Sequence, residues 1–188
     1  MEADQYFKFQ VDVIERNSKR DLVDYQSKIV QLAKDIKILF DAGNKIAFCG
    51  NGGSASEASH LAAEFLGKCV TPHDPLPALS LNDSSAVLTA IANDYGYHEI
   101  FSRQVAGQLK SGDLLIALST SGTSANIRRA LETGNSLGVR TILWTGAECG
   151  EVQGVDVWRS QHKLTPRIQE SHLMWGHILV EIFENAQV

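Results

Sequence analysis

Asp113-Leu114-Leu115-Ile116-Ala117-Leu118-Ser119-Thr120-Ser121-Gly122-Thr123-Ser124 opens on a charge, runs through five apolar residues and breaks into hydroxyls. A strand covered by helices on both faces has this near-continuous apolar profile. The segment that follows, Ser124 to Ser136, is helix-compatible and is stopped by Gly138, so the unit reads strand, polar turn, helix. Working outward, the unit recurs. Lys45-Ile46-Ala47-Phe48-Cys49-Gly50 precedes a helical segment from Ser54 to Leu66, and Pro77-Ala78-Leu79-Ser80-Leu81-Asn82 precedes one from Ser84 to Ile91. Thr141-Ile142-Leu143-Trp144-Thr145 and Val155-Asp156-Val157-Trp158 supply two more strands, and a last amphipathic helix, Gln169 to Asn185, is entered after Pro166. Repeated βαβ units with right-handed crossovers predict an α/β protein, a three-layer doubly wound sandwich around a five-stranded parallel sheet. Such sheets bind ligands beyond the carboxyl ends of their strands, where the strand order reverses. The turns after the strands are therefore the places to look for chemistry.

The 188 residues suffice for one domain with one core. Within it a helical segment, 1–42, precedes an α/β core, 43–188. From residue 5 to 42 there is neither Pro nor Gly, and Leu22, Tyr25, Ile29, Leu32, Ile36 and Leu39 recur in steps of three and four, an apolar stripe along one long helix. The stripe can cover the chain's own domain or a partner subunit. Its a/d regularity points to a partner, as does the little spare surface a small sheet domain offers a helix of about 50 Å. Residues 1–42 are thus expected to drive oligomerisation.

Composition removes several classes. The chain carries 17 basic and 22 acidic side chains, a net charge of −5, with no Lys/Arg-rich run, which argues against a nucleic-acid surface built on phosphate neutralisation. Disorder is excluded by an apolar content of 44%. No apolar stretch approaches the ~18 residues of a membrane span, and MEADQYFKFQ lacks a signal pattern. The cysteines, Cys49, Cys69 and Cys149, are scattered without CxxC spacing and read as reduced thiols of a cytoplasmic protein.

Two turns stand out. Gly50-Asn51-Gly52-Gly53-Ser54 follows the first strand with more glycine than a plain turn needs. Its backbone can approach a ligand closely, and the helix behind it offers free N–H groups. It matches neither GxGxxG nor GxxxxGK[ST]. Ser119-Thr120-Ser121-Gly122-Thr123-Ser124 puts five hydroxyls and a glycine in six residues at the mouth of a helix. One hydroxyl would serve as N-cap; five suit an anion held by neutral donors and a helix dipole. An acidic chain with no basic cluster can hold a phosphate monoester in this way. Among ionisable groups, His60 and Glu64 lie four apart on one helix face, while Gln169, His172 and His177 share the last helix. Spacing alone does not bring these two helices together.

Several motifs in fixed order carry a resemblance. Gly50-Asn51-Gly52-Gly53-Ser54 with His60-Leu61-Ala62-Ala63-Glu64 resembles the sugar-isomerase (SIS) domain of bacterial phosphoheptose isomerases. So do Leu88-Thr89-Ala90-Ile91-Ala92-Asn93-Asp94-Tyr95-Gly96, Phe101-Ser102-Arg103-Gln104, Ser119-Thr120-Ser121-Gly122, and Arg167-Ile168-Gln169-Glu170 with His177. The resemblance spans nearly the whole chain. It implies conversion of sedoheptulose 7-phosphate to D-glycero-D-manno-heptose 7-phosphate, a step towards heptose for lipopolysaccharide or capsule. It also implies a cytoplasmic homotetramer with sites at subunit interfaces, and no nucleic-acid or membrane partner. Carried over by position, Ser119, Thr120, Ser121 and Ser124 would cradle the phosphate, and Asn51, Gly52, Gly53, Asn93 and Asp94, with Glu64 and Gln169, would contact the sugar. Glu64 and His177 match the family's acid/base pair. His60, Glu64, Gln169 and His177 match its zinc ligands, one ion per subunit, and His172 is left structural. Enediol chemistry suits this pair, a carboxylate and an imidazole on two sides of a carbonyl.

The chain departs from the family pattern at Glu57, commonly Asp, across Lys68–Asp74, and in residues 146–154 and 159–166. These departures bear on which sugar is taken. Two other outcomes fit the same scaffold: a non-catalytic SIS protein that binds a replication initiator, or an isomerase of another sugar phosphate. A complete Glu64 and His177 pair favours an enzyme.

Overall fold

A computed structural model describes residues 2–185. Five strands, β1 (Ile46–Gly50), β2 (Ala78–Ser80), β3 (Leu114–Leu118), β4 (Arg140–Thr145) and β5 (Asp156–Arg159), form one parallel sheet in the order β2-β1-β3-β4-β5. Six helices accompany them: α1 (Ala3–Asp41), α2 (Gly53–Leu66), α3 (Ser85–Tyr95), α4 (Ser102–Gln108), α5 (Ala125–Ser136) and α6 (Thr165–Asn185). The apolar strands are buried on both faces, as their composition requires. Ile46, Phe48, Leu114, Ile116, Leu118, Ile142, Trp144 and Trp158 point into a core roofed by α1, α2 and α6. Their neighbours, Ala47, Cys49, Leu115, Ala117, Leu143 and Val157, point into a second core with α4 and α5, against which Leu88 and Ile91 of α3 also pack.

The chain leaves β1 towards β2 on one side and reaches β4 from β3 on the other, so the order reverses between β1 and β3. Their residues pair from Ile46 opposite Leu114 to Gly50 opposite Leu118. The turns that follow, 51–52 and 119–124, therefore open side by side at the switch point, the position at which such sheets bind ligands.

Three features differ from the sequence expectation. Most of the α1 stripe covers the chain's own domain: Ile29, Leu32 and Ile36 are buried in the first core and Tyr25 and Leu39 pack against it, while Leu22 stays exposed. In that core α1 lies against α6. Second, residues 97–108, where the apolar pattern marks no element, form a 3-10 turn at Tyr97–Glu99 and the short helix α4, anchored by buried Phe101 and Val105. Third, α6 begins at Thr165, ahead of Gln169, with Pro166 in its first turn, where a missing N–H costs nothing.

A buried carboxylate fastens α1 to this body. Asp21, fully buried, accepts from Ser160 Oγ at 2.8 Å, Ser171 Oγ at 2.7 Å and the Gln161 N–H at 2.7 Å. None of the described helices is long and apolar enough to cross a membrane.

Candidate active site

The two turns at the switch point wall a cleft of about 280 Å³. Asn51, Gly52, Gly53 and Ser54 form one side, Ser119, Thr120, Ser121 and Ser124 the other, and Thr165 and Gln169 at the start of α6 close the end. None of these side chains is ionised. Ser124 stands at the N-cap of α5 yet makes no capping hydrogen bond, so its hydroxyl is free for a ligand. Ser119 is nearly buried, and its Oγ accepts from the Gly122 N–H at 3.2 Å, shaping the turn from within. Gly53 lets the Gln169 amide come close: a Cβ there would lie 2.4 Å from Gln169 Nε2 and displace that side chain from the cleft.

The turns are cross-linked. Asn51 and Asn126 exchange amide hydrogen bonds of 2.9 and 2.8 Å, and the Tyr97 hydroxyl donates to Asn51 Oδ1 at 2.9 Å. Asn51 is thus largely engaged in bracing the cleft. Tyr97, Asn126 and Thr165 were not anticipated. The Asn126 signal, an amide two residues beyond Ser124 in the first turn of α5, is local, whereas Tyr97 depends on a 3-10 turn that the apolar pattern does not mark.

Helices α2 and α6 run alongside each other in the same direction, each returning beneath the parallel sheet. Contacts advance along both together: Gly53 meets Gln169, Leu61 packs into the space left by Gly176, and His60 meets His177. At the far end of this seam His60 Nε2 lies 2.8 Å from His177 Nε2 and 3.4 Å from Glu64 Oε1. One donor atom from each of the three residues falls within 4.8 Å of the others. Two donors on a tetrahedral zinc at about 2.1 Å stand roughly 3.4 Å apart, so this nitrogen and oxygen set fits zinc after the two imidazoles separate slightly. His60 is 44% exposed at its side chain, which gives an ion a way in.

Not every expected partner joins this group. Gln169 stays at the cleft, its Nε2 donating to Ser54 Oγ at 3.4 Å, eight residues and about 12 Å of helix from His177. Within one chain it does not meet the other three. Asn93 and Asp94 are exposed at the end of α3, hydrogen-bonded to each other at 2.9 Å, and do not line the cleft. Asp94 instead borders a separate cavity with Tyr95 and Arg103. His172 is fully buried between Trp144 and Trp175, where burial pushes its imidazole down to about 3.

An uncharged, hydroxyl-lined cleft joined to a histidine–carboxylate cluster by a pair of parallel helices, at the switch point of a doubly wound sheet, defines an α/β protein with a ligand-binding site of the kind such sheets carry. The SIS domain family matches residues 5–146. The phosphoheptose isomerase of Akkermansia muciniphila is 42% identical over 182 residues, covering 96% of each chain, and that of Rhodospirillum rubrum is 44% identical over 167 residues, 88% of this chain and 89% of the relative. The solved phosphoheptose isomerase of Neisseria gonorrhoeae superposes with a TM-score of 0.88 at 30% identity, covering 98% of this chain and all of that one. The chain belongs to the SIS-domain family and, within it, to the phosphoheptose isomerases, which are aldose–ketose isomerases.

Proposed function

We propose that the substrate is sedoheptulose 7-phosphate and the product D-glycero-D-manno-heptose 7-phosphate, formed in the cytoplasm on the way to heptose for lipopolysaccharide or capsule. The disposition of groups along α2 carries this reading. Gly53, His60 and Glu64 share one helix face, with the cleft at its start and the His60, Glu64 and His177 cluster about 10 Å further on. An extended seven-carbon chain esterified at its last carbon sets its carbonyl end roughly 10 Å from the phosphorus. The hydroxyls of Thr120, Ser121 and Ser124 and the start of α5 would take the phosphate.

Glu64 would then remove a proton from C1 of the open-chain ketose as the carbonyl oxygen at C2 gains one, which gives the enediol. Return of a proton to C2 with release of the C1 hydroxyl proton gives the aldose, and His177 handles this second transfer. His60, Glu64 and His177 are the residues that would hold zinc, one ion per subunit, and the ion would supply positive charge beside the carbonyl oxygen. Gln169 orients the sugar from the cleft end. The exposed apolar residues of α1 and the distance of Asn93, Asp94 and Gln169 from the cluster support a homotetramer whose sites are completed between subunits.

The test is incubation with sedoheptulose 7-phosphate, with and without chelator, followed by NMR detection of the aldose. Glu64→Gln is expected to fold and assemble while losing at least ~100-fold in turnover. A variant that retains unaltered turnover would remove Glu64 from the mechanism, and formation of aldose only from a different ketose phosphate would reassign the substrate.

A further inference from the structure

The cleft that takes the phosphate has no cation in its walls, but a guanidinium lies behind it. Arg128, half-buried in α5, donates from Nε to the Gly122 carbonyl and reaches from Nη2 to Cys149 Sγ at 3.7 Å. Gly122 is the buried apex of the hydroxyl turn and holds φ at +65°, with its N–H directed inward to Ser119 O at 3.0 Å. A Cβ at this position would lie 2.3 Å from Cys149 Sγ, so the apex already rests on the thiol. The turn's internal bonds engage the N–H of Gly122 and leave its carbonyl to be held from outside the turn. Its carbonyl oxygens are also the groups that would repel an anion if they rotated towards it. The Arg128 contact supplies the anchor and occupies the Gly122 oxygen.

We propose that Arg128 is a positioning residue for phosphate binding: by clamping the Gly122 carbonyl above Cys149 it fixes the Ser119–Ser124 turn with its free donors facing the ligand, and it lends the neutral cleft a positive charge from behind. The inference rests on the phosphate reading of the cleft given above. It assigns to Arg128 a part in affinity and none in proton transfer, since the guanidinium touches neither Glu64 nor His177.

The experiment compares the assembled enzyme with Arg128→Met and Arg128→Lys, measuring kcat and KM for sedoheptulose 7-phosphate and the inhibition constant for inorganic phosphate. Losing a charge-assisted hydrogen bond and its charge should raise KM and the phosphate inhibition constant together by about tenfold in Arg128→Met, with kcat within twofold. Arg128→Lys keeps the charge but not the fork, so its rise is about threefold. Should Arg128→Met fail to assemble, Arg128→Lys carries the test alone. Unchanged KM and inhibition constants, or a loss confined to kcat or to folded fraction, overturn the proposal. An unaltered enzyme that inorganic phosphate does not inhibit overturns the phosphate reading of the cleft instead.

Discussion

Glu57 sits between the cleft and the His60, Glu64 and His177 cluster on the same helix, and it is 6% exposed with neither carboxylate oxygen hydrogen-bonded. Burial pushes its carboxyl up to about 7, and the Ser54 hydroxyl, nearby but out of hydrogen-bonding geometry, opposes this only weakly. The folded chain therefore holds a proton there that the unfolded chain gives up near 4.5. Its contribution to stability is complete below about pH 4.5 and is lost as the pH rises through about 7, a swing of up to about 3 kcal/mol. Glu57→Gln, neutral at every pH, should abolish that slope. Urea midpoints of the two proteins should nearly coincide at pH 4.5 and separate at pH 7.5, with the variant the more stable. Parallel curves across that window would mean that the carboxyl is solvated. Among the other single residues, His60 and Glu64 were legible from their spacing, because four residues of helix put them on one face whatever the fold. His177 was legible through the family resemblance alone, since spacing does not show that α6 packs along α2 and brings a lone helix histidine into the cluster.

At the scale of elements, the attachment of α1 is the least legible part. Its stripe is periodic enough to serve either the chain or a partner, and periodicity carries no information about which. The answer lies in the wide apolar face that Phe48, Trp144 and Trp158 present beside α2 and α6, a property of the assembled sheet. Asp21 was likewise unremarkable in sequence, one acid among many on a long helix, and its role appears only once β5 and α6 bring Ser160, Gln161 and Ser171 around it. By contrast the strands, the switch point and the two turns that line the cleft were readable, because an apolar run ending in glycine or hydroxyls is a local signal. Removing the Asp21 carboxylate leaves the Gln161 N–H without its acceptor and takes one partner each from Ser160 and Ser171, whose hydroxyls still bond each other at 3.0 Å. Asp21→Ala should therefore cost roughly 3 kcal/mol in urea unfolding and expose the α1–β1 connection to limited proteolysis. Equal stability of the two proteins would show that water replaces the carboxylate and that the latch contributes little.

For the molecule as a whole, the distribution of apolar surface matters more than its amount. Of the large hydrophobic residues left exposed, Tyr6, Phe7, Phe9, Val11, Leu22, Val23, Val30 and Ile38 all lie on α1. Leu22, Val23 and Val30 join Ile178 and Ile182 of α6 around an apolar groove of about 270 Å³. One helix thus has two surfaces, one closing its own core and one facing outward, and Leu22 is the stripe residue that belongs to the outward one. A charge placed in the outward surface should act on assembly without disturbing the core, because Val23 is 67% exposed and Val30 40% exposed. The double variant Val23→Glu, Val30→Glu should sediment as a species smaller than the tetramer expected of the unaltered protein, with an unchanged circular dichroism spectrum, since burying two unpaired carboxylates at an interface is costly. Turnover of sedoheptulose 7-phosphate should fall with assembly if sites are completed between subunits as proposed, because Asn93 and Asp94 lie away from the cleft and the cluster of their own chain. A dissociated chain that keeps full turnover would establish that His60, Glu64 and His177 work with the cleft of their own subunit alone, and would remove Asn93 and Asp94 from the substrate contacts.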